Sequence, residues 1–256
     1  MISKKTLESL VFFAALLGLW EILVRVVEVP NFILPAPREL YDALVTKFAV
    51  VATHAAVTFA EALGGFILSL VLGVGFAVGV VHSRHLQNTL YPLIVILYAM
   101  PKSAFAPLMV IWIGYGLMSK IAIAFLVAFF PIVVNTVVGL REIEPELLDL
   151  ARIYRGSRFA VLKKIRFPNS LPYLFAGIKV ALVLSVTGAI VAEFVAANQG
   201  LGYLILQANY SLDTAFALVN LLILALLSLL LFSAVDILQR YWAPWSAEVR
   251  QVEGSF

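Results

Sequence analysis

Cysteine is absent from all 256 residues, which excludes disulfides, thiolate nucleophiles and thiolate metal sites. Histidine is scarce. His54, His82 and His85 sit at the two ends of one apolar run, without ligand partners at useful spacing, and read as interfacial. Charge is scarce too: 13% of residues are Asp, Glu, Lys or Arg against 62% hydrophobic, and mean hydropathy is +1.01. Soluble domains carry roughly 45–50% apolar and about 25% charged residues, so a water-soluble globule is excluded. No stretch matches G-x-x-x-x-G-K-[ST], and no Ser/His/Asp set or carboxylate pair stands at catalytic spacing. An enzyme is therefore not expected. The net charge of +3 and pI near 9.1 would suit nucleic acid, but the basic residues gather in a few loops, as in a membrane protein, and no nucleic-acid partner is expected.

What is present is apolar length, in runs of roughly 18 residues or more, which suits a lipid bilayer. We read an all-α polytopic chain with six spans, near 7–27, 55–81, 90–113, 120–140, 171–196 and 214–238. The first follows Lys4 and Lys5 but runs through Trp20 and Glu21 with no small-residue cleavage site, so it reads as an uncleaved helix. Pro30, Asn31, Pro35 and Pro37 make the next stretch an extended loop. The chain divides into 1–53 (first helix and outer loop), a core of 54–245, and a cytoplasmic tail of 246–256. With the N-terminus inside, inner segments hold Lys4, Lys5, Arg84, Arg141, Arg152, Arg155, Arg158, Lys163, Lys164, Arg166, Arg240 and Arg250. Outer segments hold only Arg38, Lys47 and Lys120. That asymmetry places both termini in the cytoplasm.

Several spans carry small or polar residues. The second has Gly64, Gly65, Gly73, Gly75 and Gly79, the last two in a G-x-x-x-G; such residues let helices approach closely, within one chain or between two. Pro92, Pro101 and Pro107 interrupt the third, and Lys102 stands near its middle. Such a lysine either lines protein or a water-filled path, where it would steer an anion, or snorkels to the interface. Broken helices free backbone groups to line a cavity, which makes Pro101, Lys102 and Ser103, with Asn135 and Glu193, candidates for a translocation path. Glu61, Asn135, Lys179 and Glu193 read first as structural residues, ahead of substrate contacts.

Residues 141–172 form a polar island between two spans. Glu144-Pro145-Glu146 is a helix start, with proline at the first turn and carboxylates at the positive end of the dipole. Leu147, Leu150, Ala151 and Tyr154 then make one apolar stripe, with Glu146, Asp149, Arg152 and Arg155 largely off it. Gly156-Ser157 permits a turn. A second short helix turns Val161, Leu162 and Ile165 inward, and Pro168 and Pro172 close it. The residues alone leave two readings open: a loop lying on anionic lipid, or a docking surface for a soluble partner.

Asp149-Leu150-Ala151, then Gly156, then Ile165-Arg166-Phe167-Pro168 resembles the Glu-Ala-Ala, glycine, Ile-x-Leu-Pro loop of ABC importer permeases. The segments 104–108, 112–116, 176–179, Glu193 and 200–203 look like the nitrate/sulfonate/taurine branch, which includes permeases for pyrimidine and riboflavin precursors; 188–197 looks nearest to those. The resemblance covers roughly 55–245. Asp149 and Leu150 replace the Glu and first Ala, and the glycine falls one position late, with Arg155 in its place.

The resemblance implies the type I ABC importer permease fold, six transmembrane helices with a cytoplasmic coupling helix between spans 4 and 5, inside a loop of 141–170. It implies ATPase contacts at Glu146, Asp149, Ala151, Arg152, Tyr154, Arg155, Gly156 and Arg158. It also implies two ATP-binding cassette ATPase subunits carrying ATP-Mg, a second copy of the chain, an extracytoplasmic substrate-binding protein and the bacterial inner membrane. The chain itself would bind no cofactor, and the substrate would be a small anion or organic nutrient. The competing reading is a secondary transporter or channel without an ATPase; it predicts internal repeats and intramembrane acidic relays, and the sequence has neither.

Overall fold

The computed structural model describes residues 4–154 and 157–246, and every regular element among them is helical. These are α1 (Lys4–Val26), α2 (Pro37–Thr46), α3 (Phe48–His82), α4 (Arg84–Ala99), α5 (Ala106–Ile113), α6 (Leu117–Arg141), α7 (Pro145–Ile153), α8 (Arg158–Val161), α9 (Phe167–Ala196), α10 (Leu201–Tyr210) and α11 (Thr214–Trp242). A 3-10 turn, Lys102–Phe105, precedes α5, and a π turn, Leu162–Arg166, precedes α9. Phe48–His82, Leu117–Arg141, Phe159–Ala196 and Thr214–Trp242 are each long and apolar enough to cross a membrane. The shortest has 25 residues; at about 1.5 Å per residue that exceeds a hydrocarbon core of about 30 Å.

The chain forms two compact units. The first comprises residues up to Thr58 with Asn198–Ala225. Here the proline-rich stretch is ordered and not simply an extended loop. Pro37 begins α2, and the Ala36 N–H donates to Glu39 Oε2 at 3.3 Å. The Thr214 hydroxyl donates to the Phe32 carbonyl at 2.6 Å, and Lys47 Nζ meets Asp213 Oδ2 at 2.7 Å. His54 is a structural ligand of the α10 entrance: its Nδ1 accepts the Gly200 N–H at 3.0 Å, while the Thr58 hydroxyl accepts the Leu201 N–H at 2.8 Å.

The second unit comprises Phe59–Ala197 with Leu226 onward. Its spine is the antiparallel pair α6–α9: Gly139 faces Ser170 and Tyr173, Gly177 faces Asn135, and Gly188 faces Ala124. A Cβ on Gly188 would lie 2.8 Å from the Ala124 Cα, so only glycine permits this approach. α3 runs parallel to α6, with Gly64 on Ile121, Gly65 on Ala124 and Gly73 on Ile132, and the Ser69 hydroxyl donates to the Phe125 carbonyl at 3.0 Å. Gly75 and Gly79 meet nothing within 4 Å, so the G-x-x-x-G pair makes none of these contacts.

Between these two parallel helices lies the proline-broken third span, where α4 and the segment Lys102–Ile113 meet at 90°. Along α6 the order runs backwards: the Arg141 guanidinium lies over the Tyr91 ring, the Tyr98 ring is 6.2 Å from that of Phe130, and Ala106 clusters with Ile123. The broken pair thus carries the chain from the end of α3 back to the start of α6. It is one broken crossing. Gly114 and Gly116, at φ of +94° and +143°, make the reversal into α6.

The start of α9 departs from expectation. Pro168 and Pro172 do not close a short helix; Phe159–Ala196 is continuous over 38 residues. A proline lacks an N–H and its ring presses on the carbonyl four residues back. The π turn widens the helix at that place, with the Phe167 N–H reaching the Leu162 carbonyl five residues back, so the chain continues through the prolines.

Candidate functional site

The loop after α6 is held at both ends by the backbone it must satisfy. Helix C-termini leave carbonyls without intrahelical partners. Here Arg166 Nη1 donates to the Leu140 carbonyl at 2.8 Å and Asn169 Nδ2 to the Glu142 carbonyl at 2.6 Å, so the start of α9 closes the end of α6. The Ser157 hydroxyl accepts the Ala160 N–H at 3.2 Å and caps α8. Val161, Leu162 and Ile165 are half-buried, as their spacing predicts.

α7 is different. Its apolar stripe was expected from periodicity, yet Leu147 and Leu150 are exposed, Ala151 is half-buried, and Ile153 and Tyr154 are 77% and 78% exposed. Phe159 on α8 is 70% exposed. Glu146 and Asp149 are exposed beside them. Full burial of one large apolar side chain stabilises by about 1.5–3 kcal/mol, so this surface has much to gain from a partner. Arg155 and Gly156, and the side chains of Arg152 and Arg158, lie outside the described residues.

Of the pathway candidates, Pro101 and Ser103 are exposed at the break and Lys102 is half-buried. Lys102 Nζ donates to the Tyr98 carbonyl at 2.5 Å and the Met100 carbonyl at 3.2 Å, and lies 4.8 Å and 5.3 Å from the Tyr98 and Phe130 ring centroids. The ammonium caps the negative end of α4, where broken carbonyls would otherwise be unsatisfied. Asn135 donates to the Pro131 carbonyl at 2.8 Å and packs on Gly177. Glu193 is buried between helices. The structure therefore does not gather the five into one cluster.

It gathers others instead. Lys120, read from sequence as an outer-loop charge, is buried and donates to Glu61 Oε1 at 2.7 Å. Lys179 meets Asp236 at 2.9 Å, and Asp236 also pairs with Arg240. The available signal was that a charge inside an apolar span needs a partner; which partner was not visible. Among the described residues no group of three or more His, Cys, Asp or Glu side chains is placed to hold a metal ion.

The fold is that of a known transporter subunit. A solved structure titled as inward-facing conformations of the MetNI methionine ABC transporter aligns at a TM-score of 0.69 and 20% identity, covering 77% of this chain and 98% of that one. The riboflavin transport system permease protein of Chloroflexus aurantiacus is 38% identical over 91% of this chain and 87% of its own. A probable ABC transporter permease protein of Haemophilus influenzae is 34% identical, over 91% and 95%. The formylaminopyrimidine transport permease protein of Halalkalibacterium halodurans is 32% identical, over 95% and 97%. Residues 69–247 match the binding-protein-dependent transport system inner membrane component, and the chain belongs to that family: it is a membrane permease subunit of an ABC importer, not an enzyme.

Proposed function

We propose that α7 and the turn after it are the coupling element of this permease, with Glu146, Asp149, Ala151, Arg152, Tyr154, Arg155, Gly156 and Arg158 at the contact with an ATPase subunit. The observation that carries this is the exposed apolar face of α7, on a loop whose two ends are tied to α6. An apolar helix face left uncovered on a rigid mount suits a partner groove better than it suits a fluctuating loop. Two copies of the chain would enclose the path, two ATPases carrying ATP-Mg would bind the loops from the cytoplasm, and an extracytoplasmic binding protein would deliver substrate. The membrane is the bacterial inner membrane, with both termini cytoplasmic.

The path would pass the break at Pro101, Lys102 and Ser103, where Pro101 and Ser103 are exposed. Asn135 and Glu193 would act by holding the helices that border it. The relatives named for riboflavin and formylaminopyrimidine transport, at 38% and 32% identity, support a heteroaromatic nutrient as substrate, and one named for putative aliphatic sulfonates transport, also at 32%, supports a small organic anion. Relatives named for taurine and nitrate transport match at 26% and 23%.

The test joins Ile153→Asp with Tyr154→Asp in a tagged permease. ATPase subunits are expected to stop co-purifying and ATP-dependent uptake to fall at least tenfold, while the permease still reaches the membrane. Intact co-purification and uptake would sink the coupling assignment.

A further inference from the structure

Three helices of the second unit bring three ionisable side chains together out of water. Glu61 of α3 is 0% exposed, Glu193 of α9 1% and Lys120 of α6 6%. Lys120 Nζ donates to Glu61 Oε1 at 2.7 Å. The second oxygen, Glu61 Oε2, is buried with no hydrogen-bond donor on it, while the Glu193 carboxyl lies within hydrogen-bonding reach of Glu61. Ionised carboxylates are acceptors only, so two of them side by side cannot bond to each other without a proton.

The charges do not balance either. Two carboxylates against one ammonium leave a net negative charge in a water-excluded, membrane-crossing core, which is strongly unfavourable. The other charged residues of these three helices stand elsewhere. α5 has no charged residue. The other charge on α6, Arg141, sits at the far end over Tyr91. The other charge on α9, Lys179, is paired with Asp236 of α11. His54 and His82, the remaining ionisable groups of α3, stand 7 and 21 residues away along that helix.

We infer that Glu61 and Glu193 share one proton, so that with Lys120 they form a neutral, buried proton-binding site. The proton, taken from solvent, sits on one carboxyl and bonds to an oxygen of the other, supplying the donor that Glu61 Oε2 lacks. Lys120 lies 3 residues after the start of α6 and Glu193 3 residues before the end of α9, so the site is at the end of the pair opposite the loop after α6. Proton occupancy holds α3 to α6–α9 at that end; its loss sets two anions face to face.

Infrared spectroscopy of the assembled transporter in H2O and D2O tests this. The wild type at neutral pH is expected to show a protonated-carboxyl band that shifts in D2O and disappears in both Glu61→Gln and Glu193→Gln. Loss in each single variant is the signature of a shared proton, because the remaining carboxylate then balances Lys120 alone. Each variant keeps an amide donor in the acid's place, so Tm at neutral pH is expected to match the wild type, while the wild type alone loses Tm on alkaline titration. A wild type lacking the band overturns the proposal, and so does a band that survives in either variant. Should a Gln variant not assemble, Glu61→Asp and Glu193→Asp take its place: each is expected to move the band, and an unmoved band overturns the site.

Discussion

At the scale of one residue, Asp213 shows how a half-exposed carboxylate organises a helix entrance. Its Oδ1 accepts the Phe216 N–H at 3.0 Å and caps α11, while its Oδ2 accepts from Lys47 Nζ at 2.7 Å. Burial works against its ionised form, but the Lys47 hydrogen bond, the Phe216 N–H and the Lys47 charge together outweigh it and hold the carboxyl below the usual aspartate range. The folded state therefore binds this proton less readily than the unfolded chain. The contribution is present above the unfolded aspartate value of about 3.9 and is lost as pH falls through the lower folded value. Both partners are more than a third exposed, so screening keeps the ion pair below about 1 kcal/mol. Asp213→Asn keeps the capping oxygen and removes the charge. Its Tm is expected to lie roughly 1–3 °C below wild type at neutral pH and to converge on it in acid, as pH falls below the unfolded aspartate value of about 3.9 and through the lower folded one. Asp213→Ala should cost about 1 kcal/mol more through the lost cap. A wild-type to Asn gap that stays constant across that pH range would rule out the ion pair as its source.

At the scale of elements, the contacts that matter are glycines facing backbone. Gly188→Ala would press a methyl onto the Ala124 backbone and is expected to cost about 1–3 kcal/mol, because neither helix can yield without parting α6 from α9. Gly75→Ala meets open space and is expected to be neutral or up to about 1 kcal/mol stabilising, through helix propensity. Melting temperatures of the two variants decide this, and equal losses would contradict the packing described. Within this chain Gly64, Gly65 and Gly73 make the approach to α6 and Gly75 and Gly79 do not, since G-x-x-x-G spacing marks a face and not what that face meets. The same limit explains the other differences. Apolar length was legible, so the spans at 55–81, 120–140, 171–196 and 214–238 each fall inside a helix. α2 and α10 were not, because short helices depend on partners distant in sequence, such as Thr214 for Phe32 and Thr58 for Leu201. Pro168 read as a stop because proline rules assume an α-helix, and the π turn removes that assumption. The stripe on α7 was visible as periodicity; that it is uncovered within this chain was not.

At the scale of the whole molecule, topology turns on the broken third crossing. A helix pair bent by 90° could equally dip into a membrane and return on the same side. The packing within the second unit decides against that: α3 and α6 run parallel, so the chain must cross back between them, and α4 and α5 lie along α6 in reverse order. The turn at Gly114–Gly116 and the loop after α6 therefore belong to opposite faces of the membrane. The basic residues support the proposed assignment of faces. Arg152 lies in α7 and Arg155, Arg158, Lys163, Lys164 and Arg166 follow it in sequence, whereas Lys120, the nearest basic residue after the Gly114–Gly116 turn, is buried with Glu61 and is no loop charge at all. A chain without cysteine makes the experiment direct. Tyr115, 85% exposed, and His85, at the α3–α4 junction and also exposed, are each replaced singly, as Tyr115→Cys and His85→Cys. A membrane-impermeant maleimide is expected to label the first only in right-side-out vesicles and the second only in inside-out ones. Labelling of both from the same side would make the pair a re-entrant loop, and a reversed pattern would keep the crossing but invert the chain, moving the α7 surface away from any ATPase.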